Sequence, residues 1–438
     1  MNRRKFIKDS SIAAAGVTIL NFPVFGKNAP SNKVIVAIMG VNSRGAFLAE
    51  SFSLLPNVEV AYICDVEEKA IANGMKPFAT AARKPAIVKD IRELVEIKDF
   101  DALVIAAPDH WHAPASILGI THGKHVYVEK PCSHNAYEGE LLIEAQKKYP
   151  KNLIQMGSQR RSFPTLIEAV KLVREGIIGN PYYARCWYNN NRKSIGVGKK
   201  VPVPSTLDFE LWQGPAPRRP YQDNLVHYNW HWFWHWGTSE TCNNASHELD
   251  CSRWFLRVDY PTKVTSTGGR YAFKDDWETP DTQTASFEFG KDKSITWEGR
   301  SCNNYPTEGS SRGFIIYGDK GTLVNNGNDD YKILDYNNKI VKEVKTVQGG
   351  TGSNVVNATG TLDNLHFVSF VEAIRGNRPP ISTIEEGHKS VLLCHLANIA
   401  QRTGRSLHCN PVNGHILNDV SAMKMWRREY EKGWEPKV

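Results

Sequence analysis

The sequence predicts an α/β protein: a doubly wound parallel sheet toward the N-terminus, then an α/β domain whose strands are mainly antiparallel. Three observations carry this reading. Continuous apolar segments alternate with helical patterns over residues 31–157, as strands buried on both faces do. Beyond Gly157 the strands become period-two or aromatic in character and are separated by Gly, Asn and Asp turns, which antiparallel pairing explains most simply. With 438 residues, 41% of them apolar and 10% aromatic, the chain can fill two or three domain cores.

The first domain opens with a strand at 34–39, a loop from Gly40 to Gly45, a helix at 46–55 and a strand at 58–64. A strand at 102–107, a helix beginning near Ala113, the apolar run His125-Val126-Tyr127-Val128, a helix at 137–148 and a strand at 152–156 continue the alternation. The second domain, 158–438, starts with a helix at 165–175. Strands follow at 182–188, 262–273, 282–289, 294–297, 313–317 and 322–324, with a loop at 325–330 and helices at 362–374, 384–400 and 421–430.

Residues 1–30 read as an export signal: a basic start, an apolar stretch from Ile12 to Leu20, and a small-residue site at Val24-Phe25-Gly26. Asn2-Arg3-Arg4-Lys5-Phe6-Ile7-Lys8 is similar to the twin-arginine signal for proteins exported folded, which implies a periplasmic or exported protein. The apolar stretch is too short to span a bilayer as a helix, so membrane contact is expected only through an uncleaved signal. That segment holds Arg3, Arg4, Lys5, Lys8 and Lys27 against Asp9, so the formal charge of +8 falls to +4 for the remainder, 49 basic against 45 acidic residues. With no long basic block, a nucleic-acid partner is not expected. Eight cysteines without a CxxC pair read as buried free thiols rather than a disulfide framework or a zinc site.

Gly40-Val41-Asn42-Ser43-Arg44-Gly45 occupies a strand-to-helix turn that can cradle a dinucleotide's diphosphate at the helix N-terminus. Its middle glycine position is Asn42, a residue that tolerates positive φ. Asp65 follows the second strand, twenty residues after Gly45. A carboxylate there can accept hydrogen bonds from ribose hydroxyls and repels a 2′-phosphate, which favours NAD over NADP; capping the following helix is its structural alternative. Pro108, Asp109, His110, Trp111 and His112 end the fourth strand at the same sheet edge as Glu129-Lys130-Pro131, and Asp109 reads equally as a helix cap or a cofactor contact.

Residues 227–250 hold the densest chemistry. Trp230, Trp232, Trp234 and Trp236 offer faces for stacking on a sugar ring or for packing. His227, His231 and His235 have a helical metal-ligand spacing, but no HExxH or carboxylate partner accompanies them, and no metal is expected. Asn243, His247 and Asp250 would share one helix face, where an imidazole can take the proton of a substrate hydroxyl.

These motifs together resemble the glucose-fructose oxidoreductase, inositol dehydrogenase and rhizopine-catabolism family (Gfo/Idh/MocA), over nearly everything after residue 31. The resemblance implies a Rossmann domain, then an α/β domain with a large open sheet whose outer face mediates homodimers or homotetramers. It implies Gly40, Asn42, Ser43, Arg44, Gly45, Asp65, Pro108, Asp109, His112, Glu129 and Lys130 at the cofactor. Lys130, Arg161, Trp236, Asn243 and His247 would meet the substrate, with Lys130 and His247 catalytic and Pro131 a cis-proline. Family members commonly carry an aspartate where this chain has Asn243, which cannot itself take a proton.

The reaction so implied is NAD(P)-dependent removal of hydride from a secondary hydroxyl of a sugar, glycoside or cyclitol, with a cofactor loaded before export and tightly retained. A glycosidase or lyase using transient oxidation is the alternative, although the hydrolytic branch departs from Glu-Lys-Pro. A non-catalytic carbohydrate-binding protein is a third.

Overall fold

The computed structural model describes residues 33–345 and 362–438. The predicted export signal lies outside them.

In the first domain the strands β1 (Val34–Met39), β2 (Val58–Cys64), β3 (Ala86–Val88), β4 (Ala102–Ile105), β5 (His125–Val128) and β6 (Ile154–Met156) form one parallel sheet in the order β3-β2-β1-β4-β5-β6. β1 and β4 are buried almost throughout because helices cover both faces. The helices are α1 (Arg44–Ser53), α2 (Glu68–Met75), α3 (Ile91–Glu96), α4 (Asp109–Thr121) and α5 (Ala136–Lys148). All strands run the same way, so the carboxyl ends of β1, β2, β4 and β5 present the Gly40 loop, Asp65, Pro108 and Lys130 at one edge. That edge is where open α/β sheets bind ligands.

After α6 (Pro164–Arg174) a sheet of nine strands begins with β7 (Pro181–Asn189). It continues with β8 (Lys263–Gly269), β9 (Thr282–Phe289), β10 (Lys293–Arg300), β11 (Arg312–Gly318), β12 (Gly321–Asn325), β13 (Tyr331–Asp335), β14 (Ile340–Val344) and β15 (Leu407–His408). The order is β14-β13-β12-β11-β7-β10-β9-β8-β15, antiparallel except where β7 pairs with β10. One face is covered by α6, α8 (Ser246–Leu256) and α10 (Ile384–Thr403), whose Leu249, Phe255 and Leu396 pack on Phe287, Ile295 and Phe314. The other face carries half-exposed Tyr183, Arg185, Thr296, Glu298 and Tyr317, with the two tyrosine rings stacked 5.2 Å apart.

Two further helices, α7 (Phe209–Gln213) and α9 (Asp363–Ile374), flank the sheets. The eight cysteines are all free, seven of them buried.

The sequence reading differs from this fold at identifiable places. The helix expected at 421–430 shortens to α11 (Val420–Met423) and a single 3₁₀ turn. Its charged residues are drawn away: Arg428 and Tyr430 both reach the buried carboxylate of Glu138, and Arg428 also donates to His110 O. The hairpin β13–β14 and the short β3 were not anticipated because each is brief and, apart from the alternation in Tyr331–Asp335, carries too little buried surface to show a pattern. α4 starts at Asp109 rather than near Ala113, with Pro108 as its N-cap.

The turn after β1 tests the logic of the glycine loop. Gly40 has φ +81°, and a Cβ at Gly45 would lie 1.7 Å from Gly40 O, so α1 crosses β1 at a distance only glycine permits. Alanine in a helix is ordinarily favoured over glycine by about 1 kcal/mol. Here we expect Gly45→Ala to cost about 1–3 kcal/mol in urea unfolding through overpacking, and to weaken NAD binding. Unchanged stability would contradict this packing.

Candidate functional site

A cavity of about 490 Å³ runs along the carboxyl edge of the first sheet and under the second domain. That size suits a small-molecule ligand.

On the first domain's side it is lined by Gly40, Asn42, Ser43, Arg44, Asp65, Pro108, Asp109, His112, Glu129 and Lys130. Gly45 stays just behind, in the α1–β1 contact. Asn42 is not among the residues at positive φ, so glycine at Gly40 alone meets the turn's backbone demand and asparagine enters without strain. Ser43 makes no side-chain cap, and the first turn of α1 holds no acidic residue, which leaves amide donors facing the cavity without a competing charge. These features fit a dinucleotide's diphosphate.

Asp65 holds backbone amides but does not cap the helix after it, which begins at Glu68 with Glu67 as its N-cap. One carboxylate oxygen accepts from Val41 N at 2.7 Å, and the other from Val66 N at 2.7 Å and Glu67 N at 3.0 Å. Burial raises its pKa, and these amides oppose the rise. A carboxylate has about four acceptor sites, so one remains for a ribose hydroxyl.

Glu129 is a junction. It accepts from Arg44 Nε at 2.9 Å and Gln159 Nε2 at 3.1 Å, while Arg44 Nη1 also reaches Asp363 at 3.0 Å. Burial alone would raise the Glu129 pKa, but Arg44 and Lys130 hold it below the ordinary value. His112 lies between Pro131 O, 2.6 Å from Nδ1, and Ala107 O, 2.7 Å from Nε2, joining the ends of β4 and β5. The Lys130–Pro131 peptide is cis.

Lys130 leaves the sheet edge and reaches the second domain. Its Nζ donates to Asn243 O at 2.6 Å and Asn243 Oδ1 at 3.0 Å. Desolvation lowers its pKa, against the pull of Glu129 and Asp109. An ammonium has three donors, and these two bonds leave one for a ligand.

Asn243 lies in a π turn, Thr241–Ala245, that leads into α8. This insertion and the helical spacing put Asn243 and His247 on the cavity wall together. Asn243 Nδ2 lies 3.3 Å from Tyr228 Oη and 3.2 Å from Glu240 Oε1, and Glu240 in turn pairs with Arg192. His247 makes no hydrogen bond among the described residues. Burial, then Lys130 and Arg312, push its pKa well down, so the ring rests neutral.

Two substrate-contact expectations meet a different arrangement. Arg161 does not line the cavity: its guanidinium grips Asp250 through Nε at 2.9 Å and Nη2 at 2.8 Å, both groups buried. Asp250 therefore leaves the face shared by Asn243 and His247 and serves as a structural counter-ion. Trp236, 2% exposed, packs on Phe233 and Trp212 behind the wall, and Trp230 and Tyr228 line the cavity instead. His227, His231 and His235 go separately to Glu67, Tyr228 O and Pro217 O, and do not converge.

Sequence reasoning passed over Arg160, Arg192 and Arg312, which all line the cavity. They belong to a turn after β6, a loop after β7 and the start of β11, and no local motif joins them.

Residues 34–157 match the family model described as "Oxidoreductase family, NAD-binding Rossmann fold", and residues 208–409 match "Oxidoreductase family, C-terminal alpha/beta domain". Among solved structures, the chain is similar to the WlbA dehydrogenase of Bordetella pertussis in complex with NADH and UDP-GlcNAcA, at 18% identity and TM-score 0.63, over 86% of this chain and 99% of that one. It is also similar to an Agrobacterium radiobacter oxidoreductase in complex with NAD+, L-tartaric acid and magnesium, at 14% identity and TM-score 0.63, over 86% and 98%. At these identities the likeness concerns the fold. Among curated proteins, an alpha-N-acetylgalactosaminidase of Shewanella oneidensis is 28% identical over 211 residues, 43% of this chain and 46% of the relative. A Shewanella baltica glycosyl hydrolase family 109 protein matches to the same extent, so the chain spans about half the length of the curated relatives it matches.

Asp109 gives the site a pH signature. Burial lifts its carboxyl to about 6, against the opposing charge of His112 and a hydrogen bond from Thr238. The folded protein thus holds a proton that the unfolded chain releases near pH 3.8, and stability falls as pH rises from about 4 to about 6. Asp109→Asn removes this loss. Its stability relative to the parent should grow by up to about 3 kcal/mol across that window and stay level above it; urea titrations at several pH values measure the difference, and a pH-independent difference would contradict it.

Proposed function

Because the chain belongs to the Gfo/Idh/MocA oxidoreductase family and its first domain is NAD-binding, we propose that it is an exported enzyme that oxidises a secondary hydroxyl of a sugar, glycoside or cyclitol. When bound, the nicotinamide supplies the hydride acceptor. One observation carries the reading: a lysine with one uncommitted donor and a neutral imidazole that makes no hydrogen bond among the described residues line the same cavity.

Lys130 donates its remaining N–H to the substrate oxygen and stabilises the negative charge that develops there as the proton leaves. His247 accepts that proton. Asn243, lacking an acidic proton, fixes the ammonium and orients the substrate. Tyr228 and Trp230 offer aromatic surface to a sugar face.

Asp65 favours NAD over NADP through its remaining acceptor site and its charge. Export in the folded state requires the nucleotide to be loaded beforehand and retained, with a second substrate to regenerate it. The half-exposed face of the nine-stranded sheet is the surface on which a homodimer or homotetramer would form.

A second reading, redox-assisted glycoside cleavage, draws on the curated relatives named as glycosidases. In that reaction the transiently oxidised sugar would lose its aglycone by elimination, water would add across the resulting double bond, and the carbonyl would then be reduced back to the hydroxyl.

Mass spectrometry of nucleotide released from denatured protein should find NAD, and protein that neither contains nor takes up nucleotide would overturn the proposal. Chromogenic glycosides supplied without added NAD separate the two reactions. Stoichiometric nicotinamide reduction without aglycone release supports the oxidoreductase, whereas catalytic aglycone release without accumulated NADH supports cleavage.

A further inference from the structure

Around His247 the cavity wall carries Arg160, Arg192 and Arg312 against two carboxylates, Glu240 and Glu248, while the second domain's Asp363 faces Arg44. Arg192 has its own partner in Glu240. Arg160 and Arg312 instead share one carboxylate, that of the fully buried Glu248. Arg312 binds it with two donors, Nε at 2.9 Å and Nη2 at 3.2 Å. Arg160 Nη1 lies 3.0 Å from the same carboxylate, out of line for a hydrogen bond, and is buried with no other partner among the described residues.

These arginines are held in a built cradle. Arg160 Nη2 donates to Gly327 O at 3.1 Å, and Arg312 lies over the Tyr188 ring at 5.3 Å. A Cβ on Gly327, whose φ is +87°, would meet the Arg312 Cγ at 2.4 Å, so only glycine lets that turn close on both side chains. The turn is itself braced by Asn325, which accepts from Gly327 N at 2.8 Å and donates to Asn328 O and Asp330 O. Arg160 is 7% and Arg312 8% exposed, yet both line the cavity beside His247.

Two guanidinium groups and one carboxylate leave a single net positive charge in a site shielded from water, where an uncompensated charge is costly. An arriving monoanion removes that cost and meets the guanidinium edge of Arg312 that Glu248 leaves free, since Glu248 takes only Nε and Nη2. The glycine loop already provides the diphosphate of a dinucleotide with its own seat, so this charge belongs to the substrate.

We propose that the substrate is a sugar carrying one negative charge, a hexuronate or a sugar sulfate monoester, whose anionic group is held by Arg160 and Arg312. This rests on reading the cavity as a carbohydrate site. The same anion would lessen the positive field that now keeps His247 neutral, and so tie recognition of the acid group to the ease of taking the hydroxyl proton.

Calorimetric titration of the NAD-saturated protein with methyl glycosides of glucuronate, galacturonate and glucose 6-sulfate, against those of glucose and galactose, tests the proposal. At least one acidic sugar should bind about tenfold or more tighter than its neutral counterpart, an advantage that shrinks with added salt. Whether uronates or the sulfate show it identifies the anion.

Arg160→Gln should lose most of that advantage. Arg160→Lys retains a charge beside Glu248 but not the planar fork, and serves if the glutamine variant does not fold. Equal or tighter binding of the neutral sugars, or no binding by any member of the panel, overturns the inference. Failure of every bound sugar to reduce NAD would overturn the oxidoreductase reading instead, leaving the anion preference standing.

Discussion

The bond from Lys130 to Asn243 is the constraint on which the site depends. It ties the end of β5, in the parallel sheet, to the π turn before α8, so the amine and the imidazole of His247 occupy one cavity although 117 positions separate them. A hydrogen bond from a charged donor in such a place contributes about 1.5–3 kcal/mol, enough to hold one geometry against nearby alternatives. Asn243 is held in turn by Glu240 and Tyr228, and Glu240 by Arg192.

Asparagine at that position has an electrostatic consequence. A carboxylate there would favour the charged amine and raise the Lys130 pKa; a neutral amide holds the amine without doing so, and desolvation prevails. In the first domain Asp65, Asp109 and Glu129 line the cavity with Arg44, which also draws in Asp363 from α9, whereas Arg160, Arg192 and Arg312 line it around His247. The cavity thus has one side suited to ribose hydroxyls and another whose arginines exceed their carboxylates.

The parallel sheet and its edge were legible because their signals are local. Buried strands read as apolar runs, and the loop, Asp65, Pro108 and Glu129-Lys130-Pro131 each follow a strand directly. Asn243 and His247 were legible through helical spacing, although the π turn that places them has no comparable signature. Arg161 and Trp236 show the limit of that method: a cation and an aromatic near a site suit a ligand, but Asp250 and Trp212 claim them once the chain folds. The arginine pair around Glu248 was hidden because it depends on the register that sets Arg312 at the start of β11 beside Tyr188. The 325–330 loop read only as a connection, and its part in holding Arg160 and Arg312 emerges from the positive φ at Gly327 and the carbonyl it directs inward.

In the proposed reaction Lys130 and His247 handle the proton together while hydride leaves the same carbon. Rapid mixing of NAD-loaded protein with an oxidisable sugar, followed through the near-ultraviolet absorbance of the reduced nicotinamide in a single turnover, tests it most directly. Reduction is expected in the parent protein, with a loss of at least about a hundredfold in rate in both Lys130→Met and His247→Phe and NAD still bound. Reduction at the parent rate in either variant would contradict it.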